Sequence, residues 1–183
     1  MNDLLQVLRI GDFEDLLAAL RRGGTRFQDA IDGGAGWGGT ARTLTDHVDG
    51  QVLAFEPFPG NHRFFDQNEP RIELYKAALY SRSATVPFCV EETVSPDSVW
   101  GQRGMQGYSS VGRIVPDTWT GTSQSIQAVA ADEIVDPERQ VDIIKLDLHG
   151  GELDALQGMS RLPANAKLLW VEFPGDAALL SFL

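Results

Sequence analysis

Five glycines fall within positions 33–39, and this stretch constrains the fold more than any other part of the chain. The residues before it, with Phe27, Ala30 and Ile31, predict a short buried strand, and the glycines then allow a tight turn that brings backbone close to a ligand. A helix is predicted to begin at residues 40–45. Strand, glycine turn and helix form the unit that binds nucleotide-like cofactors in α/β proteins, so we expect a cofactor site here.

The class of cofactor depends on one carboxylate. Gly34, Gly36 and Gly39 satisfy the G-x-G-x-x-G dinucleotide fingerprint, and Glu56, after the next apolar run, is placed to bind ribose hydroxyls. Asp32, two residues before Gly34, would repel a pyrophosphate but attract the ammonium and sulfonium groups of S-adenosylmethionine. We therefore expect S-adenosylmethionine, with NAD(P) as the alternative cofactor. The alternative interpretation of this segment is an ordinary turn between a strand and a helix, in which Asp32 caps the helix.

Composition limits the partners of the chain. A length of 183 residues, 43% hydrophobic and 22% charged, predicts a single α/β domain. The net charge of −11, without a cluster of Lys or Arg, argues against a nucleic-acid substrate and against an anionic membrane surface. Cys89 is the only cysteine, which fits a reducing cytoplasm. Neither a membrane span nor a signal peptide is recognised, and we expect a cytoplasmic protein.

The pattern along the chain divides this single domain into four segments. They are a helical leader, a cofactor-binding half, a variable loop or lid, and the second half of the sheet, at residues 1–24, 27–91, 92–125 and 126–183. Apolar spacing in the leader predicts two short helices broken at Gly11 and Asp12, with Asp12 capping the second. The third segment has little periodicity, so it is interpreted either as a lid that covers the substrate or as a disordered loop.

Predicted strands and helices alternate through the two halves. The strands are at residues 51–58, 72–79, 84–90, 127–129, 141–146 and 167–173, and the helices at 59–68, 131–135 and 152–159. Pro87 lacks an N–H group, which predicts that its strand lies at a sheet edge. Ala77 and Ala78 offer a flat surface for an adenine ring, although packing against a helix explains them equally well.

A carboxylate and an imidazole follow the apolar run at residues 141–146. That run predicts a central parallel strand, buried on both faces, which delivers Asp147 and His149 to the carboxyl edge of the sheet. Such a pair can position and deprotonate a hydroxyl group. A helix cap for Asp147 and a solvated loop position for His149 are the alternatives. Asp147 and Glu172 could share a metal ion, but two carboxylates do not predict one, and we expect none.

Five segments, in this order, resemble the FkbM family of S-adenosylmethionine-dependent methyltransferases. They are DGGAGWG at 32–38, AFEP at 54–57, KAAL at 76–79, IKLDLHGGE at 144–152 and VEF at 171–173. The resemblance covers residues 27–173 and implies a Rossmann-like class I methyltransferase fold, with a mainly parallel sheet flanked by helices. It also implies methylation of a hydroxyl group on a small-molecule acceptor, a sugar or a natural product.

Individual site residues follow from these motifs. The expected cofactor contacts are Asp32, Gly34, Ala35, Gly36, Gly38, Glu56, Pro57, Ala77, Ala78 and Asp147. By the resemblance, Glu56 binds the ribose hydroxyls and Asp147 lies beside the transferring methyl group, and the expected catalytic residues are Asp147 and His149. Ser109, Ser110 and Val111 loosely resemble the serine-containing segment of the family.

Two features depart from the family pattern. His149 stands where the family usually has glutamate, and Gly36 where it usually has asparagine. The chain also stops soon after residues 167–173, where these enzymes usually continue into a final antiparallel strand pair. We therefore expect an open edge at the last parallel strand and a homodimer formed there, or else a truncated chain. A degenerate domain that binds a cofactor or a partner without activity is the non-enzymatic alternative.

Overall fold

Two sheets organise the chain, one of five strands and one of four. The computed structural model describes residues 10–65, 68–91, 93–99, 101–109, 111–173, 175 and 177–183. None of the helices in these ranges is long and apolar enough to cross a lipid bilayer.

Strands and helices alternate along most of the described chain. The strands are β1 (Asp29–Gly33), β2 (Val52–Phe55), β3 (Ile72–Tyr75), β4 (Ala78–Leu79), β5 (Ala84–Val90), β6 (Gly112–Ile114), β7 (Gln124–Val129), β8 (Val141–Leu146) and β9 (Leu168–Val171). The α-helices are α1 (Ile10–Arg22), α2 (Gly39–Thr45), α3 (Ala131–Ile134), α4 (Glu152–Gln157) and α5 (Ala177–Phe182). A 3₁₀ turn spans His62–Phe64 and a π turn spans Gly101–Met105.

The five-stranded sheet is parallel throughout and has the order β3-β2-β1-β8-β9. Because the strand order reverses between β1 and β8, the chain leaves a crevice outside the carboxyl ends of these two strands, which is where open α/β sheets bind ligands. This is the mainly parallel sheet flanked by helices that the sequence predicted. β9 has no second neighbour among the described strands, so its outer edge is open, as expected.

Alternating side chains of the parallel strands build an apolar core on each face of this sheet. Ala30 and Val52 face α1 and α2, whereas Ile31 and Leu53 face α3 and α4. All six residues of β8 are buried, which explains why its sequence is a near-continuous apolar run rather than an alternating one.

The four-stranded sheet has the order β4-β7-β5-β6. β4 is parallel to β7, and β5 is antiparallel to both of its neighbours. Its own apolar cluster centres on Ala78, Phe88, Ile126 and Ala128. The sheet stands over the crevice and closes one side of it.

The single strand predicted at residues 72–79 is wrong, because the chain changes sheets within that range. β3 pairs with β2 in the parallel sheet, and β4 pairs with β7 in the second sheet. Only the exposed Lys76 and the buried Ala77 join them. The apolar pattern is continuous across the junction, so sequence alone gives no sign of the change in pairing partner.

The edge position predicted for the strand of Pro87 is also wrong. β5 lies between β7 and β6. The carbonyl oxygen of Pro87 accepts a hydrogen bond from the Val115 N–H at 3.0 Å, so the proline nitrogen faces the same side. The pairing of β5 with β6 ends at Phe88. Pro87 therefore lies just beyond the last paired residue, where its missing N–H group breaks no hydrogen bond between these two strands.

Two helix predictions need correction. α1 begins at Ile10 and continues through Gly11 and Asp12, so Asp12 lies inside the helix and is not its cap; the first predicted leader helix falls largely on residues 1–9, outside the described residues. The helix predicted at 59–68 is reduced to the 3₁₀ turn His62–Phe64, because Phe65 adopts an extended conformation. The helices predicted after the glycine turn and after β8 are confirmed as α2 and α4.

Candidate functional site

A cavity of about 320 Å³ lies at the carboxyl edge of the parallel sheet, beneath the second sheet. Among the expected site residues, those that line it are Gly34, Ala35, Gly36, Glu56, Pro57, Ala78, Asp147 and His149. Asp32, Gly38 and Ala77 are not part of its described wall. Residues distant in the sequence thus meet at one site, on the side of the sheet that the strand pattern predicted.

The glycine turn packs directly on the loop that follows β8. The N–H groups of Gly34 and Ala35 both donate to the carbonyl oxygen of Phe55, at 3.1 and 3.0 Å, which ties the turn to the end of β2. Gly34 has a φ of 71°, and a Cβ atom there would lie 2.0 Å from the carbonyl oxygen of Asp147. Only glycine satisfies both the backbone angle and the close approach.

Glu56 ends β2 with its carboxyl group held by backbone donors. Its Oε2 accepts the Gly36 N–H and its Oε1 accepts the Phe58 N–H, each at 2.7 Å. Burial raises the pKa of Glu56 to about 7, although these two hydrogen bonds favour the charged form. A carboxylate offers about four lone-pair positions, so Glu56 retains the capacity to accept hydroxyl groups of a ligand in the cavity.

Asp32 does not face the cavity, which corrects the role that its sequence position suggested. Its side chain is fully buried, and Lys145 Nζ lies 2.9 Å from its Oδ1. Burial raises the pKa of Asp32, while Lys145 opposes that rise. Since the charge of Asp32 is neutralised behind the turn, it does not discriminate between a cationic ligand and a pyrophosphate.

Lys145 is a cavity residue that sequence reasoning missed. Besides Asp32, its Nζ lies 3.2 Å from the carbonyl oxygens of Gly33 and Gly34 and 3.9 Å from Oδ2 of Asp147. It therefore fastens the glycine turn to β8. A lysine in the middle of a buried apolar run is unusual, and this placement could have identified Lys145 as a candidate site residue from the sequence.

Asp147, His149 and Glu172 form a cluster at one end of the cavity. His149 Nε2 lies 3.9 Å from Asp147 Oδ1, and His149 Nδ1 lies 3.6 Å from Glu172 Oε2. Burial, followed by the neighbouring Asp147 carboxyl, raises the pKa of Glu172 to about 7. A second carboxyl, that of Glu172, thus joins the expected pair of Asp147 and His149; the sequence suggested it only as a partner of Asp147 at a metal ion that was not expected.

The loop that carries His149 is held by the buried Glu152. Its Oε1 accepts the Leu148 N–H at 2.8 Å, and its Oε2 accepts the Gly150 N–H at 3.0 Å. Between these two donors His149 adopts a φ of 54°, the left-handed region that non-glycine residues rarely enter. Glu152 is therefore a positioning residue: it holds the backbone of His149 in a left-handed conformation that a non-glycine residue rarely adopts.

The second sheet and the segment before β6 supply the opposite wall. Tyr108 and Ser109 line the cavity, and Ser109 is held by the buried Asn61. Asn61 Nδ2 donates to the Ser109 carbonyl oxygen at 2.8 Å, and its Oδ1 accepts the Ser109 N–H at 3.1 Å. Ser110 lies outside the described residues. The variable segment thus reaches the site, through an asparagine that no motif singled out.

A comparison with models of protein families identifies one family. The family model described as the methyltransferase FkbM domain matches residues 33–173. Among solved structures, the methyltransferase FkbM from Methylobacillus flagellatus KT is similar, with 20% sequence identity and a TM-score of 0.49. The similarity covers 80% of this chain but 32% of that chain. No curated protein matches the sequence significantly.

Proposed function

The chain belongs to the FkbM methyltransferase family, and from this premise we propose that it uses S-adenosylmethionine to methylate a hydroxyl group on a sugar or natural-product small molecule. One observation carries the proposal. A single cavity brings the glycine turn and Glu56 from one side together with Asp147 and His149 from the other. A cofactor held by the first pair would present its reactive group to an acceptor held by the second.

The residues of the cavity fit such a cofactor. Its volume of about 320 Å³ falls within the usual range of ligand pockets, roughly 300–1,000 Å³. Glu56 has acceptor capacity left for ribose hydroxyls, and Gly34, Ala35 and Gly36 of the glycine turn line the cavity with it. Ala78 contributes a small apolar surface on which an adenine ring can lie.

The charge of the lining also suits a cationic ligand. Glu56, Asp147 and Glu172 line the cavity as carboxyl groups. The lining cations Lys145 and Arg113 each form an ion pair, at 2.9 and 3.0 Å, with a carboxylate outside the lining. The cavity therefore has an excess of negative charge, which attracts the ammonium and sulfonium groups of S-adenosylmethionine. This explanation replaces the one that rested on Asp32.

In the proposed transfer, the protein itself forms no covalent bond to the substrate. S-adenosylmethionine, when bound, supplies an electrophilic methyl group. Asp147 or His149, which line the same cavity, would take the proton that the acceptor hydroxyl loses as it is methylated. Alignment and exclusion of water contribute most to the rate, and base assistance adds about 10²-fold or more.

The acceptor would lie against the second sheet. Tyr108, Ser109 and Phe88 line that side of the cavity, facing the carboxylates that end the parallel strands. The aromatic side chains of this wall suit a sugar ring or another ring-shaped natural product, because rings pack on aromatic faces. The net charge of −11 supports a small molecule rather than a nucleic acid as the substrate.

Calorimetric titration with S-adenosylmethionine, S-adenosylhomocysteine and NAD tests the cofactor assignment. We expect the first two to bind and NAD not to bind. Glu56→Ala should weaken binding at least tenfold, because hydrogen bonds to a charged group contribute about 1.5–3 kcal/mol. Glu138→Ala removes an exposed carboxylate outside the cavity and should leave binding unchanged.

Three results would contradict the proposal. Binding of NAD alone would favour the oxidoreductase alternative. If a folded protein bound none of the three ligands, the result would favour a degenerate interaction module. Binding that survives in Glu56→Ala would place the cofactor elsewhere in the chain.

A further inference from the structure

We propose that Asp147, His149 and Glu172 bind a divalent metal ion at the end of the cavity. One ligand atom from each residue lies within 4.8 Å of the other two. All three side chains line the same cavity. The site itself does not depend on the methyl-transfer chemistry, although the role assigned to it below rests on the proposed function.

The spacing of the three groups is close to that of a ligand set. With metal–ligand distances of about 2.1 Å, neighbouring ligands of one ion lie roughly 3–3.5 Å apart. The imidazole stands between the two carboxyl groups, 3.9 Å from Asp147 and 3.6 Å from Glu172. Shifts of about an ångström, within the reach of side-chain torsions, would bring all three onto one ion.

The backbone holds these groups on rigid supports. Asp147 and His149 follow β8 directly, and the Glu172 N–H donates to the Leu146 carbonyl oxygen at 2.8 Å, which joins the ends of β8 and β9. His149 keeps its left-handed φ of 54° because Glu152 binds the N–H groups on both sides of it. A strained backbone angle that the surroundings enforce is characteristic of functional sites.

The charges at the cluster favour a bound cation. Two carboxyl groups this close repel each other unless a proton or a cation lies between them. Oδ1 of Asp147 is buried and accepts no hydrogen bond from any described residue. Lys145 approaches the other oxygen only to 3.9 Å, and Asp32 holds that lysine at 2.9 Å.

Two carboxylates and one imidazole suit a first-row divalent ion better than the all-oxygen ion Ca²⁺. In the proposed methyltransferase, this ion would bind the acceptor hydroxyl oxygen and lower its pKa, so that the proton passes to solvent before transfer. His149 then binds the ion and does not accept the proton. The ion would also fix the acceptor oxygen beside Asp147, His149 and Glu172.

Titration of the untagged, chelator-dialysed chain with Mn²⁺ tests the site, with free Mn²⁺ measured by electron paramagnetic resonance. We expect one Mn²⁺ per chain. His149→Gly and Glu172→Gln should each weaken binding at least tenfold, since loss of a supporting partner alone costs 10–100-fold and these residues are ligands. Glycine adopts a φ of 54° without strain, so the loss would not come from a misfolded loop.

Matched controls are available outside the cavity. His47→Ala removes an imidazole and Glu138→Gln removes an exposed carboxylate, and both should bind Mn²⁺ like the wild-type protein. Absence of binding in the wild type overturns the inference, as does equal binding in His149→Gly. Loss in Glu172→Gln but not in His149→Gly would mean a site made of carboxylates alone, which also overturns it.

The design separates this inference from the proposed function. Mn²⁺ is titrated without S-adenosylmethionine, and S-adenosylmethionine is titrated in the presence of chelator. Cofactor binding without Mn²⁺ binding overturns the metal site and leaves the methyltransferase proposal standing. Mn²⁺ binding without cofactor binding supports the metal site and contradicts the methyltransferase proposal.

Discussion

Lys145 joins the glycine turn to the central strand β8, and its removal should destabilise the fold. Lys145→Met fits the apolar strand but leaves the buried Asp32 without its ion pair. We expect the free energy of unfolding to fall by about 3 kcal/mol, the usual effect of breaking a buried pair from one side. Urea denaturation at neutral pH measures the change.

Two further variants separate this effect from a general loss of lysine charge. Lys76 is exposed, and Lys76→Met should change stability by no more than about 0.5 kcal/mol. The double variant Asp32→Asn with Lys145→Met removes both charges and should recover much of the loss. A Lys145→Met protein as stable as the wild type would show that the pair contributes nothing.

At single positions, the sequence predicted what local chemistry determines. Gly34 was predicted because glycine is required by a tight turn, and Glu56 because it follows a buried strand. Asp32 was assigned the wrong environment, since its partner Lys145 comes from a strand far along the chain. Glu172 and Asn61 were not predicted as site residues for the same reason, because their neighbours in space are distant in sequence.

The segment before β6 is fastened to the parallel half of the molecule by one side chain. Asn61 is buried and makes two hydrogen bonds to the Ser109 backbone, at 2.8 and 3.1 Å. Asn61→Ala removes both, and we expect faster amide hydrogen exchange at Ser109 and its neighbours, with a loss of about 1–3 kcal/mol in stability. Exchange measured peptide by peptide localises the effect.

An exposed asparagine provides the comparison for this prediction. Asn165→Ala should leave the exchange of the segment around Ser109 unchanged. If Asn61→Ala also left that exchange unchanged, the segment would be held by other contacts, and the role given to Asn61 would be wrong.

Among the elements, the parallel strands were predicted, as were β5 and β7, but the grouping of strands into a second sheet was not. β1, β2 and β8 are short apolar runs followed by a turn or by polar residues, so the local sequence is enough to predict them as strands. The division of residues 72–79 between β3 and β4 depends on which strand each half pairs with, and so does the internal position of Pro87. Pairing is a property of the tertiary structure, which a strand pattern does not encode.

For the whole molecule, we propose that two copies pair along the open edge of β9. α5 follows this strand and packs through Leu179 on the same apolar cluster, while Leu180 and Phe182 are each 50% exposed. Open strand edges beside apolar surface are templates for association. Light scattering over a wide range of concentration should therefore approach twice the chain mass of 20.0 kDa.

Substitution at this surface tests the position of the interface. Leu180→Lys should shift the protein towards the monomer, whereas Ile134→Lys, at another exposed apolar position, should not. A wild-type protein that stays monomeric at every concentration would contradict the proposal. An open edge at the last parallel strand was predicted from the sequence, whereas association depends on a surface that no motif describes.

The two walls of the cavity come from different sheets, and this division has an evolutionary consequence. The carboxyl groups of Glu56, Asp147 and Glu172 are carried by parallel strands, whereas the opposite wall belongs to β5, β6 and the segment before them. Substitutions in the second sheet can reshape one wall without moving those carboxyl groups. In the proposed methyltransferase, descendants of this chain would exchange one acceptor for another while they keep the same carboxyl groups.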